Sequence, residues 1–240
     1  MWVTNICAEL ARTKGFNVDM IGLDGKTPTV AHYEKFLADK ASAQKAFVYK
    51  VHRPIVRQLE KSKFITIFRN PIERTVSEML FSDRSFHAAL DGTKSLVRFY
   101  DNFVRTKRGD TLVLFYPEIS SDPARVIQRV SEFLEIDATS QQIDQIQNRF
   151  SKTRVKSLIK KNDTQLEQKK SSGRSFDGID IVRPKHTNRI RSFDKETGFQ
   201  SGHVSNLEKT EYRDRLSRKQ ISKIEDIFRN LNWEFDILAL

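Results

Sequence analysis

The sequence predicts an α/β fold in which helices cover both faces of a mostly parallel central sheet. Short apolar runs rich in β-branched and aromatic residues alternate along the chain with segments whose apolar residues recur at helical spacing. This alternation is typical of parallel strands that are buried on both faces. With 240 residues, 38% of them hydrophobic, and 17 phenylalanines, the chain can bury a substantial core as a single domain.

The first part of the chain begins with a helix at residues 3–12. Val3, Ile6 and Leu10 share one face of it, and Gly15 lies just past its end. Apolar runs then predict a strand at residues 18–23, a second at 46–51 that closes before Pro54, and a third at 64–68. A further helix is predicted at residues 32–40, between the first two strands.

Helical patterns dominate the rest of the chain, with one more strand at residues 112–116. Asp122-Pro123 is a strong helix start, and it precedes a buried stripe that includes Val126 and Val130. Helices are predicted at residues 71–81, 96–106, from 123, 141–150 and 217–231. Residues 151–201 are basic and polar without clear periodicity, and they predict a long, partly flexible basic loop.

The junction after the third strand is the most informative local feature. Asn70 stands at the N-cap position, and Pro71 occupies the first helical position, where proline is favoured. A helix N-terminus attracts anions, and the planar donor fork of Arg69 matches phosphate oxygens. Ser77 shares a helix face with Arg74. A structural alternative stays open, in which Arg69 pairs with a carboxylate and Ser77 is an ordinary surface serine.

Composition limits the function further. The formal net charge is +11, which favours anionic partners, although no helix-turn-helix, zinc or RNA-binding signature supports nucleic-acid binding. No apolar run approaches the length of a membrane span, and the N-terminus lacks a signal-peptide pattern. The single cysteine, Cys7, cannot form an internal disulfide, which predicts a reducing, cytoplasmic location. The histidines show no metal-ligand spacing.

Four motifs, in order, resemble those of the sulfotransferases that use 3′-phosphoadenosine 5′-phosphosulfate (PAPS). Ile67-Phe-Arg-Asn-Pro-Ile-Glu-Arg-Thr-Val-Ser77 resembles the family's 3′-phosphate motif, and Tyr49-Lys-Val-His-Arg-Pro54 resembles its Lys-Thr-His segment. Leu114-Phe-Tyr-Pro-Glu-Ile119 is similar to its Tyr-Glu-Asp-Leu stretch, and Arg189-Ile-Arg191 is a weaker match to its late Arg-x-Gly element. The resemblance covers nearly the whole chain and implies a three-layer, P-loop NTPase-like sandwich.

The resemblance also implies roles for individual residues. His52 is the catalytic base, and Lys50, on the same face of its strand, stabilises charge on the transferring group or on the acceptor oxygen. The 3′-phosphate is bound by Arg69 and Ser77, and by Arg189 and Arg191 at the late element. The adenine lies near Tyr116, and Trp2 stacks on it. Structural alternatives stay open for several of these residues. In them, His52 is a strand-end histidine and Tyr116 is a core tyrosine. Arg189 and Arg191 belong to a solvated basic loop, and Trp2 to a frayed terminus.

One departure from the family is large. The family's first strand and its Lys-x-Gly-Thr-Thr-Trp loop, which holds the 5′-phosphosulfate, have no counterpart before Trp2. We therefore expect a missing first strand and weak activity, from either a truncated start or a genuine loss. PAPS is the expected co-substrate, without a metal, and the acceptor is a small molecule or carbohydrate with a hydroxyl or amine. The alternative function is a non-catalytic protein of the same fold that binds PAP (3′-phosphoadenosine 5′-phosphate) or an anionic glycan.

Overall fold

The structure is a computed structural model that describes residues 1–21, 44–50, 62–105, 111–173, 176, 180–182, 190–202, 204, 207, 211–229 and 231, with the backbone alone at 21 and 99–105. Its contacts divide the chain into two compact units. The first comprises Met1–Lys61, Pro123–Arg183 and Arg189–Val204, and the second comprises Ser62–Asp122, Pro184–Asn188 and Ser205–Leu240. Organisation as a single domain stays a prediction.

Among the described residues, the strands that pair in parallel lie in the first half of the chain, and helices predominate in the second. In chain order they are α1 (Trp2–Thr13), β1 (Asn17–Ile21), β2 (Lys45–Tyr49), β3 (Phe64–Phe68), α2 (Pro71–Ser82), α3 (Phe86–Arg105), β4 (Thr111–Phe115), α4 (Tyr116–Ser121), α5 (Pro123–Leu134), α6 (Ser140–Arg149), α7 (Lys152–Ser171), β5 (Ile181–Val182), β6 (Arg191–Ser192), α8 (Glu211–Asp214) and α9 (Arg218–Phe228).

In the first unit, α1 packs on the parallel pair of β1 and β2, and α5 and α6 pack on α1. The two strands pair from Asn17 opposite Lys45 to Ile21 opposite Tyr49. Ile6, on the apolar face of α1, is fully buried. β5 and β6 form a short antiparallel pair in the same unit. The core of this unit also takes in Leu10, Val126, Ile127, Val130, Ile146, Val155 and Leu166.

In the second unit, β3 and β4 form a parallel pair. Residue Phe68 lies opposite Phe115, so both strands end at the same edge. Helices α2, α3, α8 and α9 contribute to one hydrophobic cluster beside this pair. Its buried members are Phe68, Ile72, Val76, Phe86, Leu90, Val97, Tyr212, Leu216, Ile224 and Phe228.

The predicted α/β class is confirmed, with helices packed beside parallel strand pairs. The strands predicted at 18–23, 46–51, 64–68 and 112–116 correspond to β1 to β4, and the predicted helices at 3–12, 71–81 and 141–150 correspond to α1, α2 and α6. The structure describes the parallel strands as two two-stranded sheets. The missing first strand stays a prediction, and the helix predicted at 32–40 lies outside the described residues.

The loop predicted at residues 151–201 is wrong over its first half, where the structure has the 20-residue helix α7. Ser151 caps this helix by accepting a hydrogen bond from the Arg154 N–H. Lys, Gln, Glu and Leu are good helix formers, so local propensity supports α7 although its apolar stripe is short. Only Val155 and Leu166 are buried on it, which is why periodicity alone does not reveal the helix.

Candidate functional site

The candidate site lies in the second unit, where β3 and β4 end side by side. Because Phe68 and Phe115 are paired in register, the residues that follow them, Arg69 and Tyr116, leave the sheet at the same edge. Ligands of parallel sheets bind at the carboxyl ends of strands. The structure therefore brings together two residues that the sequence assigns to the site, with the Arg69 guanidinium carbon 4.4 Å from the centre of the Tyr116 ring.

The start of α2 follows the predicted capping pattern. The Asn70 side-chain oxygen accepts hydrogen bonds from the backbone N–H groups of Ile72 at 2.9 Å and Glu73 at 3.4 Å, with Pro71 at the start of the helix. Such a cap fixes the direction of the first turn, and with it the place where Arg69 leaves the strand. The predicted N-cap and helix start are confirmed.

Arg69 has two further contacts that the sequence analysis did not assign. Its Nε donates to Glu73 Oε2 at 3.2 Å, and its guanidinium carbon lies 5.2 Å from the centre of the Tyr212 ring. The Arg69 side chain is 20% exposed and that of Glu73 is 12% exposed. Arg69 and Glu73 are four residues apart at a helix start, and this spacing is a sequence signal for their ion pair. The contact between Arg69 and Tyr212 has no local signal, because Tyr212 lies in a distant part of the chain.

Ser77 lies two turns further along α2, on the face that also carries Asn70 and Arg74. Its Oγ is buried and has no hydrogen-bond partner among the described residues. Arg74 is held differently, because it donates to Thr93 Oγ1 at 2.7 Å and to Glu78 at 3.4 Å. Ser77 is therefore not the ordinary surface serine of the structural alternative, since its hydroxyl is buried.

A second group of assigned residues lies in the first unit. Lys50 directly follows β2, and burial lowers the pKa of its ammonium group. Burial, and secondarily the charge of Lys50, lower the pKa of the Met1 α-amino group to about 5. Trp2, at the start of α1, donates its indole N–H to the Phe150 carbonyl at 3.0 Å. This bond anchors the ring edge and gives Trp2 a structural role, whether or not it also stacks on a base.

The late element, residues 189–191, also belongs to the first unit. Arg191 is buried in β6, opposite Val182 of β5. Its neighbour Ser192 donates to Asp163 of α7 at 2.6 Å, which ties this strand to the helix. His52 and Arg189 lie outside the described residues, so their assignments stay predictions.

The residues that the structure describes contain no group of three or more histidine, cysteine, aspartate or glutamate side chains that could hold a metal ion. Within the same part of the chain, no helix has the length and apolarity needed to span a bilayer.

Comparison with known proteins supplies the family. A family model described as "Sulfotransferase domain" matches residues 17–234, which is most of the chain. The chain belongs to the sulfotransferase domain family. The predicted resemblance is therefore confirmed, and the junction at Arg69 lies within the matched region. A sequence comparison with curated proteins gives no match.

Solved structures with the same fold include two proteins crystallised with PAP. Mouse sulfotransferase SULT7A1 complexed with PAP is 16% identical, with a TM-score of 0.57, and the match covers 95% of this chain and 77% of the mouse chain. Retinol dehydratase in complex with androsterone and inactive cofactor PAP is 17% identical, with a TM-score of 0.51, and the match covers 84% of this chain and 58% of that one. At these identities the comparisons establish the fold.

Proposed function

We propose that this protein is a sulfotransferase that moves a sulfuryl group from PAPS to a hydroxyl or amine acceptor. The observation that carries the proposal is the junction of β3 and α2, where Arg69 stands beside Tyr116 and Ser77 keeps a buried hydroxyl without a partner in the described residues. Both structural neighbours were crystallised with PAP, which supports a nucleotide of this type as the ligand.

The residues at this junction fit the 3′-phosphate of such a nucleotide. The Nε edge of Arg69 is paired with Glu73, and the two Nη groups at the other end of the guanidinium are suited to two phosphate oxygens. A phosphate also offers an acceptor for the orphan hydroxyl of Ser77, which would otherwise keep its desolvation cost. The capped N-terminus of α2 adds a partial positive charge nearby. Tyr116, 39% exposed, offers a ring face to the adenine.

The transfer step needs a base and a cation from the chain itself, because PAPS supplies only the sulfuryl group and its phosphate leaving group. We assign His52 as the base that takes the acceptor proton, since imidazole titrates near neutral pH. Lys50 stabilises negative charge on the reacting oxygens. Burial disfavours the charged form of the Lys50 side chain, whereas a bound anion nearby favours that form through its opposite charge. Arg189 and Arg191 contribute further cationic charge, and Trp2 a stacking surface.

The acceptor class is part of the same proposal. A small molecule or carbohydrate with a hydroxyl or amine suits the chemistry, and the retinol dehydratase structure contains androsterone, a small hydroxylated molecule. We also place the protein in the cytoplasm, because its one cysteine fits a reducing compartment. Subcellular fractionation tests the location, and recovery in an oxidising compartment would contradict it.

Calorimetry with PAP, followed by a sulfation assay, tests the function. We expect wild-type protein to bind PAP and Arg69→Ala to bind it about 10- to 150-fold more weakly, since a hydrogen bond to a charged group contributes about 1.5–3 kcal/mol. Incubation with radiolabelled PAPS and a panel of hydroxyl and amine acceptors should give sulfated product that His52→Ala does not form.

Two results would change the conclusion. Absence of PAP binding by the wild-type protein would overturn the proposed function. Binding of PAP without transfer to any acceptor would favour the alternative, a non-catalytic protein that binds PAP or an anionic glycan.

A further inference from the structure

Two aromatic rings contact the guanidinium group of Arg69, and they differ in how firmly they are held. Tyr116 lies 4.4 Å away and Tyr212 lies 5.2 Å away, measured from the guanidinium carbon to the ring centre. Both distances are within the range of a cation–π interaction. Tyr116 is 39% exposed, whereas Tyr212 is only 4% exposed. The buried ring is therefore the more rigid of the two contacts.

The position of Tyr212 is fixed by the core of its unit. It belongs to the hydrophobic cluster that also contains Phe68 and Ile72, the residues on either side of the Arg69 junction. Leu216, which lies between α8 and α9, and Ile224 of α9 belong to the same cluster. Close packing leaves a buried aromatic side chain one well-defined rotamer. The ring of Tyr212, which contacts the guanidinium group, is therefore fixed by core packing, unlike a solvent-exposed side chain.

Glu73 completes the surroundings of Arg69. Its Oε2 accepts a hydrogen bond from Nε at 3.2 Å, which fixes one edge of the guanidinium plane, while the rings contact its face. An edge contact and a face contact together determine the direction of the two Nη groups. A planar fork recognises phosphate with two parallel hydrogen bonds only when its plane is correctly oriented.

We propose that Tyr212 is a positioning residue that orients Arg69 toward the 3′-phosphate and so sets the preference for a 3′-phosphorylated nucleotide. The inference rests on the proposed function, because it concerns the same phosphate site. Tyr212 acts through Arg69 and does not itself contact the phosphate. Its effect is to hold the arginine in its binding conformation before the nucleotide arrives, which reduces the ordering that binding requires.

The test compares two nucleotides that differ only in the 3′-phosphate, PAP and adenosine 5′-phosphate, by calorimetry. We expect Tyr212→Phe, which keeps the ring, to retain both dissociation constants within about twofold. We expect Tyr212→Leu to weaken PAP binding about 5- to 10-fold, which lies between the values for exposed and for desolvated cation–π contacts, and to leave adenosine 5′-phosphate within about twofold. The ratio of the two constants is the measurement that a purely structural role would not change.

Phe86→Leu is the matched control. Phe86 is 7% exposed and belongs to the same hydrophobic cluster, whereas the rings that contact Arg69 among the described residues are those of Tyr116 and Tyr212. Its substitution should lower the melting temperature without changing the ratio. If Tyr212→Leu does not fold, Tyr212→pentafluorophenylalanine keeps the size of the ring while removing its attraction for cations, and it should shift the ratio in the same direction.

The measurements distinguish failure of the proposed 3′-phosphate site from failure of the role proposed for Tyr212. Equal affinity of the wild-type protein for PAP and adenosine 5′-phosphate would reject the proposed 3′-phosphate site itself. A wild-type preference for PAP that persists unchanged in Tyr212→Leu, or in the fluorinated variant, would reject the role of Tyr212 and leave the proposed function intact.

Discussion

Replacement of Ser77 by alanine should raise the stability of the free protein and weaken its binding of PAP. The prediction follows from one observation: the Ser77 Oγ is buried and has no hydrogen-bond partner among the described residues. A hydroxyl in this state is unfavourable in the free protein, and it becomes favourable when a ligand supplies an acceptor. A serine with only a structural role would not combine these two effects.

The magnitudes follow from the burial of that hydroxyl. An unsatisfied buried polar group costs about 1–3 kcal/mol, so its removal should stabilise the protein by about 1 kcal/mol at the low end. For a chain of this size such a gain raises the melting temperature by about 2–4 °C. In the complex, the lost bond to a charged phosphate contributes about 1.5–3 kcal/mol, which weakens PAP binding about 10- to 150-fold.

Thermal unfolding and calorimetry measure the two effects on the same samples. Adenosine 5′-phosphate serves as the second ligand, and its affinity should be unchanged because it lacks the 3′-phosphate. Ser95→Ala is the matched control, since Ser95 is an exposed helical serine of α3 whose Oγ donates to the Asp91 carbonyl at 3.0 Å. Its alanine variant should bind PAP as the wild type does.

Two results would refute this reasoning. Loss of stability in Ser77→Ala would show that the hydroxyl is satisfied in the free protein. Unchanged affinity for PAP, with the expected gain in stability, would show that Ser77 is only a buried serine and that the 3′-phosphate is bound without it.

Three further predictions concern the framework around the site. Asn70→Ala removes the two N-cap bonds of α2 and should cost about 1 kcal/mol, seen as a fall of about 2–4 °C in the melting temperature, and an unchanged melting temperature would contradict it. Phe68→Ala empties a fully buried position beside Phe115 and should cost about 3–5 kcal/mol in urea unfolding, and a loss below about 1 kcal/mol would count against the packing described. Burial lowers the folded-state pKa of Lys50, so between that pKa and about 10.4 the unfolded chain binds one proton more than the folded protein. The stability of the wild-type protein should therefore rise with pH across this window, and Lys50→Met should lose that rise. Equal slopes of stability against pH in the two proteins would refute this prediction.

The junction of β3 and α2 was predictable from sequence because its determinants are local. An apolar run, a capping asparagine and a proline at the first helical position together specify a strand end and a helix start within eight residues. The same holds for α6, where Thr139 and Gln142 form a capping box just before and within the predicted helix. In both places side chains satisfy the first free N–H groups of the helix.

α7 could not be predicted, because its stability does not depend on a visible apolar period and only two of its residues are buried. α3 begins at Phe86, ten residues before the predicted start, although Phe86, Leu90 and Val97 share its buried face. There the Ala88 N–H donates to the Ser85 side chain, a weak cap at 3.4 Å that the sequence analysis overlooked. The contact of Tyr212 with Arg69 lies beyond any local pattern, since only the packing of the second unit brings α8 to the end of β3.

The sequence left two interpretations of Arg69 open, a pair with a carboxylate or a ligand for phosphate, and the geometry shows that they are compatible. The Glu73 carboxylate bonds to Nε, which lies on the side of the guanidinium nearest its own chain. The Nη groups form the outer end of the same plane, and it is this end that a phosphate needs. A partner on the inner edge therefore supports a phosphate ligand, because it removes the rotational freedom that binding would otherwise have to remove. The structural role of Glu73 and the binding role of Arg69 are thus two parts of one arrangement.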